Sequence, residues 1–457
     1  MRVSPTVHML NWNPWLASLL TTIIFLAVFV IGSVLLIRKK TILNTTIGKF
    51  WGRINTRPKR IVTYVIVGVL ALMLLVPIYR GATYMLNYRY ISDGYAEWRH
   101  SGNQQYLYVE AQTPYDLGYL QGQYLYAQIF NFRLILLGQY IGDYESMKLL
   151  AEEYAPYVPE DYEQEMRGMA VGASRASGWP ITYLDILLQN TYLDIYFGQE
   201  VPQSPVSEPM GCTAFGVKND DGSIILGQNF DFPKIMGEDD LRSLAYVHTN
   251  LTGRAEIFGL RVGAMLSIPS AKNSHGVYTL VNIIESNIVG DFMMPSTLRT
   301  RYALERATTA AELFEMSFNG RNQSHAANLM IGDADSIIGV QILPDRYRTQ
   351  NNTLIVHSNR FIYEDWNEDF FTQGDYSLPR QNHAEFLWNE AYAAQTPNHV
   401  NHDQLLEILG NCTAGFGEGS EICRTTTNPR TSMTLAFFTS EYFGLGNVND
   451  GLGQNPL

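Results

Sequence analysis

Gly211-Cys212-Thr213-Ala214-Phe215-Gly216, followed by Gly227-Gln228-Asn229-Phe230-Asp231-Phe232, decides how the chain is read. Cys212 stands where a strand should begin, after a polar run bearing Pro202, Pro205 and Pro209. Between the two pieces, Asn219-Asp220-Asp221-Gly222 is a strong turn signal with apolar segments on both sides. A hairpin here carries Cys212 and Asp231 at the same end of its two strands. A thiol needs a base to become the reactive thiolate. Cutting the Gly211–Cys212 bond supplies one, because a free α-amino group has a reference pKa of about 7.7–8. Gly211 adds no side-chain bulk beside the carbonyl under attack. Taken alone, Cys212 reads more simply as a small buried apolar residue.

The two pieces together change that weighting. They resemble the isopenicillin-N acyltransferase family, part of the choloylglycine-hydrolase-like group of N-terminal-nucleophile amidohydrolases. The resemblance runs from Gln105 to Thr439. It implies a chain that cuts itself before Cys212 and acts on the carbon–nitrogen bond of linear amides. It also implies an α+β fold, a four-layer αββα sandwich, with no cofactor.

Site roles follow from the same resemblance. Cys212 is the nucleophile, and Asp231 holds and orients its ammonium group. Asn359, in Val356-His357-Ser358-Asn359-Arg360, supplies a side-chain amide to the oxyanion. Asn282, in Asn273-Ser274-His275-Gly276-Val277-Tyr278-Thr279-Leu280-Val281-Asn282, lines the substrate pocket together with Asn229. Arg430, before Thr431-Ser432-Met433-Thr434-Leu435, supports Asp231 or binds an acid group of the substrate. Its spacing is one residue longer than the family's, and Arg424 competes for the role. Gln228 stands where bile-salt hydrolases have arginine, which turns the reading away from bile acids. Without the resemblance, Asp231 reads as a helix or turn cap after its strand and Asn359 as a cap of its strand. His275 and His357 fall at variable positions of their motifs and read as turn or surface histidines. A third scheme keeps Cys212 internal, uses one of them as base, and predicts activity without cleavage. No metal-ligand spacing, phosphate-binding loop or dinucleotide fingerprint occurs.

The 457 residues, 46% of them hydrophobic, are ample for a large core. Trp15–Ile37 and Ile61–Tyr79 are uncharged apolar runs, each long enough to span a bilayer. The first is long for a signal peptide and has only Arg2 ahead of it. The linker between the runs holds Arg38, Lys39, Lys40, Lys49, Arg53, Arg57, Lys59 and Arg60 and no acid. Such a loop stays cytoplasmic, which places everything after Tyr79 on the other side. Removing its +8 from the chain's −12 leaves −20, against nucleic acid or anionic lipid as partner. Three cysteines fit an oxidising compartment if Cys412 and Cys423 pair, with two reduced thiols the even alternative. Asn250, Asn322, Asn351 and Asn411 begin glycosylation patterns.

The domain reading is a two-helix membrane anchor over 1–80, a mainly helical segment over 81–211 and a catalytic segment over 212–457, the last two folding together. Gly81–Ser101 reads as a connector and Gln105–Val109 as a strand. Helices are expected over Thr113–Tyr140, Ser146–Tyr157, Pro159–Ser177 and Ile181–Gly198. Gly118 and Gly122, four apart, suit close approach of another element, and Gly168-Met169-Ala170-Val171-Gly172-Ala173 is a second small-residue segment. After Cys212, strands are expected over Ala214–Lys218, Ser223–Phe232, Ser243–Thr249, Glu256–Val262 and Gly276–Ile283. Then come a helix over Thr297–Phe318, three strands within 327–358, helices over Arg380–Ala394 and His402–Leu409, and a last strand over Ser432–Thr439. The tail after Ser440 reads as mobile. Hydrolysis is the default reaction, because water is always present, with acyl transfer to an amine as the alternative. A catalytically silent binding ectodomain of the same fold is the reading from another class.

Overall fold

Alternating side chains on the Cys212 and Asp231 strands decide which layer each one faces. The computed structural model describes residues 92–101, 104–139, 144–199, 211–232, 244–266, 270–318, 322–363, 365–366, 377–394, 397–413, 420–423, 430–438, 442–446 and 453–456. Both expected membrane spans, and Arg424, lie outside these residues. Among the described residues no helix is long and apolar enough to cross a membrane. The chain divides into two compact units, one of Met1–Ile91 with Ser174–Pro180, the other of Ser92–Ala173 with Ile181–Leu457. Only 174–180 of the first unit are described. They hold the end of a helix and Gly178, whose φ of 68° fits its place at a helix end.

In the second unit the fold is mixed α+β, as expected. A nine-stranded sheet runs in the order β1 (Gly94–Ser101), β2 (Gln104–Ala111), β5 (Leu244–Leu251), β6 (Ile257–Val262), β7 (Ser270–Asn273), β8 (Tyr278–Ile283), β9 (Ala327–Gly332), β10 (Ile337–Leu343), β11 (Arg346–Gln350). A six-stranded sheet runs β12 (Leu354–His357), β3 (Gly211–Lys218), β4 (Ile224–Phe232), β13 (Arg430–Phe438), β14 (Tyr442–Gly446), β15 (Gly453–Pro456). The expected hairpin is β3–β4, in which Gly211 lies opposite Asp231 and Cys212 opposite Phe230. Its turn closes with Gly222 at φ 88° and a bond from the Gly222 N–H to the Asn219 carbonyl at 2.9 Å.

Cys212, Ala214 and Gly216 share one face of the hairpin with Phe230, Gln228 and Leu226. That face meets the nine-stranded sheet, where a Cβ on Gly216 would collide with the side chains of Met330 and Ile337. On the other face, Phe215, Val217 and Ile225 pack with Trp388, Leu405 and Leu409. These last three come from α8 (Ser377–Ala393) and α9 (His402–Leu409), and each is worth about 2 kcal/mol in burial. The far face of the nine-stranded sheet packs Val281, Leu329, Ile331 and Val340 against Leu304 and Leu313. Those residues belong to α6 (Ser296–Leu304) and α7 (Ala310–Ser317).

Among the described residues, five helices precede the hairpin: α1 (Pro114–Tyr124), α2 (Tyr126–Gln139), α3 (Tyr144–Tyr154), α4 (Glu160–Ser177) and α5 (Tyr183–Gly198). Thr113 caps α1, its hydroxyl accepting from the Asp116 N–H. Gly118 and Gly122 do allow close approach: a Cβ on either would collide with the α4 backbone at Glu165 or Met169. Gly168 and Gly172 answer from α4, against the backbone of Tyr115 and Tyr119. The expected connector before residue 101 is β1 from Gly94 on, paired antiparallel with β2. The single helix expected over Thr113–Tyr140 is two helices that meet at Leu125, and that expected over Thr297–Phe318 is also two. Strands β7 and β11 were not anticipated, and the tail expected to be mobile contributes β14 and β15.

Candidate active site

Cys212 is buried at the start of β3 and is the one free cysteine, because Cys412 and Cys423 form a disulfide. Its backbone N–H donates to Asn359 Oδ1 at 2.7 Å. Arg380 Nη2 donates to the same oxygen at 2.7 Å, and Arg380 Nη1 donates to Asp231 Oδ2 at 3.2 Å. Asn359 Nδ2 donates to the Ile283 carbonyl at 2.8 Å. Reversing the Asn359 amide would set donor against donor and acceptor against acceptor, so these partners fix its orientation.

The structure therefore brings Cys212, Asp231 and Asn359 together and adds an arginine absent from the sequence reading. Arg380 is buried on the first turn of α8. The next residue, Gln381, accepts from the Ser358 N–H at 2.7 Å and donates to the Val356 carbonyl at 3.0 Å, clamping α8 to the end of β12. Arg380 and Asp231 are 149 positions apart, so no local spacing links them. Neither residue is exposed enough for water to replace its partner, and such a pair persists only with close geometry. Arg380 makes a contact with Asp231 of the kind expected of Arg430 or Arg424, whose side chains lie outside the described residues. Arg430 is described in its backbone alone, opposite Phe232 and beside the Thr431–Asp231 pair.

Two assignments change. Asn229 was placed in the substrate pocket, but it lies on the helix-facing side of β4, opposite Thr213. Its Nδ2 donates to the carbonyls of Leu409 at 2.7 Å and Ile422 at 3.1 Å. Strand alternation, invisible in a motif, turns it away from the thiol. Asn282 faces the thiol's layer but forms a polar pillar between the sheets. Its Oδ1 accepts from Gln228 Nε2 at 2.9 Å, and its Nδ2 donates to the His357 carbonyl at 2.9 Å. Asn359 touches Cys212 through its oxygen, so in the uncut chain its amide N–H group serves Ile283 rather than an oxyanion.

Electrostatics decide what the thiol can do unaided. Burial, then the Asp231 charge, push the Cys212 thiol up to about 12, against smaller downward pulls from Arg380, the Asp231 backbone and Asn359. In the uncut chain it is a neutral thiol, and it needs a base. His357 cannot be that base. Its Nε2 is 3.0 Å from Gln350 Oε1, and burial lowers its pKa to about 3. His275 sits in the β7–β8 turn, before the start of β8, whereas Asn359 binds at the Ile283 end, and the five steps of β8 alone put about 17 Å between those ends. The scheme that uses either histidine as base has no geometric support. Among the described residues, no group of three or more His, Cys, Asp or Glu side chains is arranged to hold a metal ion.

Residues 217–442 match the family described as acyl-coenzyme A:6-aminopenicillanic acid acyl-transferase. The matched span holds Asp231, Asn282, Asn359 and Arg380 and starts five residues after Cys212. An uncharacterized protein of Archaeoglobus fulgidus is 28% identical over 158 residues, covering 30% of this chain and 26% of that protein. The match thus spans about a quarter of that curated relative's length. Among solved structures, a Caenorhabditis elegans ortholog of N-acylethanolamine-hydrolyzing acid amidase is 15% identical, over 49% of this chain and 92% of that one, with a TM-score of 0.37. A mutant conjugated bile acid hydrolase of Clostridium perfringens is 11% identical, over 54% and 92% of the two chains, with a TM-score of 0.39.

Proposed function

Since residues 217–442 carry the acyl-coenzyme A:6-aminopenicillanic acid acyl-transferase family's sequence, the family the motif resembles, we propose that this chain is a self-activating amide hydrolase with Cys212 as its nucleophile. The observation that carries the reading is the bracket on the Cys212 nitrogen: Asn359 Oδ1 at 2.7 Å, itself held by Arg380, which also holds Asp231. That bracket is built around a main-chain nitrogen, the atom that scission would turn into an amine.

In activation, Sγ attacks the Gly211 carbonyl carbon and the acyl group moves from nitrogen to sulfur. The Cys212 nitrogen takes a proton and becomes a free amine. Water then cleaves the thioester, leaving a carboxylate on Gly211 and restoring the thiol. In turnover, the amine accepts the thiol proton. The thiolate attacks a linear amide, the leaving amine takes the proton, and water resolves the thioester acyl-enzyme. Asn359 and Asp231 orient the ammonium, and Arg380 positions both. Acyl transfer differs only in that an amine replaces water in the last step. The two sheets face each other between helical layers, which supports the four-layer reading of the fold. The apolar runs at Trp15–Ile37 and Ile61–Tyr79, with the basic loop between them, support membrane attachment with the catalytic segment outside the cytoplasm. Attachment makes lipid amides or acyl-amino acids reasonable substrates.

Incubating the chain with a panel of N-acyl amides and hydroxylamine tests the reaction. Hydroxamate formation in the native chain and none in Cys212→Ala supports the nucleophile. Turnover that survives Cys212→Ala removes it, and absence of turnover in both favours a binding ectodomain.

A further inference from the structure

Asn359 lies two residues past the end of β12, outside the strand ladders, so the backbone around it needs other partners. A row of side-chain amides in the nine-stranded sheet supplies them. Asn282 on β8 lies opposite Asn328 on β9, and Asn328 lies opposite Gln341 on β10, so the three share the face that meets the other sheet. Each is at most 1% exposed. Asn282 holds the His357 carbonyl at 2.9 Å. Asn328 Nδ2 donates to the Ser358 carbonyl at 3.0 Å and to the Arg360 carbonyl at 2.8 Å, so one amide grips the residues on both sides of Asn359. Gln341 Nε2 donates to Asn328 Oδ1 at 2.8 Å, and Gln341 Oε1 accepts from the Ile362 N–H at 3.1 Å.

These bonds allow one orientation of each amide: reversing Asn328 would set its oxygen against two carbonyls, and reversing Gln341 would set donor against donor. Asparagine is depleted in strands, and a buried amide is costly unless its polar atoms are paired. Leucine would fill a similar space with no polar atom to satisfy, so packing alone does not call for this row. What the row does is hold 357–362 from the sheet side, while Gln381 holds Ser358 from the α8 side. Between them sits the Asn359 oxygen that accepts from the Cys212 nitrogen.

We propose that Asn328 and Gln341 are positioning residues for the Cys212 centre: Asn328 sets Asn359 through the carbonyls on either side of it, and Gln341 sets Asn328. This rests on the proposed function, in which the Cys212 nitrogen becomes the amine that serves the thiol. A fixed Asn359 oxygen holds that nitrogen during scission and, afterwards, the ammonium that stabilises the thiolate.

The test follows the full chain in mild detergent, with two readouts and a matched control. The first readout is the rate at which the fragment beginning at Cys212 appears during cell-free synthesis. The second is the pH profile for alkylation of Cys212 by iodoacetamide in the cut chain. The control is Asn273, equally buried at the remote β7–β8 turn, whose Nδ2 likewise donates to two carbonyls, those of Leu304 and Ala307, both at 2.8 Å. Asn328→Leu slows scission by about tenfold or more, since a small misplacement of reacting groups is expensive. It also moves the alkylation profile to higher pH, because a less firmly held ammonium stabilises the thiolate less. Asn273→Leu lowers the thermal midpoint and moves neither readout. If Asn328→Leu does not fold, Gln341→Met gives the second reading, with a smaller change in the same directions. Scission and alkylation at native values in folded Asn328→Leu or Gln341→Met, or equal slowing in Asn273→Leu, overturns the proposal while leaving Cys212 as nucleophile. A native chain that is never cut removes the proposed function, and this inference falls with it.

Discussion

At the scale of single residues, Arg380 bears most on the account. Its guanidinium holds Asn359 with one nitrogen and Asp231 with the other. Removing one partner of a buried pair leaves the other charge stranded, at a cost of about 3 kcal/mol or more. Arg380→Met should therefore lower the unfolding free energy measured in urea by that amount and reduce the fraction of cleaved chain on a denaturing gel. Arg380→Lys keeps the charge but not the fork, so it should recover stability more than cleavage. Full cleavage in Arg380→Met would show that the bracket is dispensable. His357 gives a pH prediction. Unfolded, it takes a proton as pH falls through about 6.5, while folded it does so only at about 3. In that window the unfolded chain binds more protons, so stability falls by roughly 1.4 kcal/mol per pH unit and is unaffected by this group above the window. His357→Gln should flatten the loss between pH 6.5 and 5 by roughly 2 kcal/mol, measured by urea unfolding. An unchanged slope would mean the histidine is not held neutral. Cys212, Asp231 and Asn359 could be found from motif text because each has a motif neighbour in sequence. Arg380 could not, since only folding brings it to Asp231, and Asn229 misled because a motif does not record which face of a strand a residue occupies.

Helix crossings and loop closures belong to the scale of elements. The α1–α4 contact rests on four glycines whose absent side chains let two backbones meet. Alanine is the better helix former by about 1 kcal/mol, yet Gly118→Ala should destabilise by 3 kcal/mol or so, because its Cβ would overlap the Glu165 backbone, which has no rotamer to yield. A midpoint unchanged or raised in Gly118→Ala would mean the helices separate at little cost. The disulfide closes a short loop whose ends brace the site's outer face: Ile422 accepts from Asn229, and the Ser420 carbonyl pairs with His383 Nδ1 at 2.8 Å. For a loop of 11 positions, chain-entropy reasoning gives about 3 kcal/mol. Cys412→Ser with Cys423→Ser should lower stability by about that much at unchanged Cys212 reactivity, checked by thiol titration under denaturing and native conditions. Most elements were legible because their apolar periods are clear. The breaks at Leu125 and between Leu304 and Ala310 were not, since apolar spacing continues across both. Strand β7 has only four residues, too few for a period to register.

Taken as a whole molecule, the second unit is stitched across the proposed cut by non-covalent bonds. Strand β2 pairs parallel with β5, and Glu165 receives two bonds from Arg301, at 3.0 and 2.8 Å. Asn190 and Gln189 of α5, which is buried from Asp185 to Gly198, bind the backbone of residues 264 and 266. The cut chain should therefore elute as one species in native size-exclusion chromatography and as two in denaturant, whereas separation under native conditions would show these bonds to be insufficient. The layered α+β class was legible from helices first and strands after. The order of strands was not, because β2 joins β5 across more than a hundred residues and no local pattern encodes that pairing. The most direct measurement is the intact mass of the purified chain, with sequencing of its downstream fragment from the front. The account predicts two fragments, the second beginning at Cys212, and a single uncut chain in Cys212→Ala. A native chain that is active yet uncut, or cut at any other bond, contradicts it.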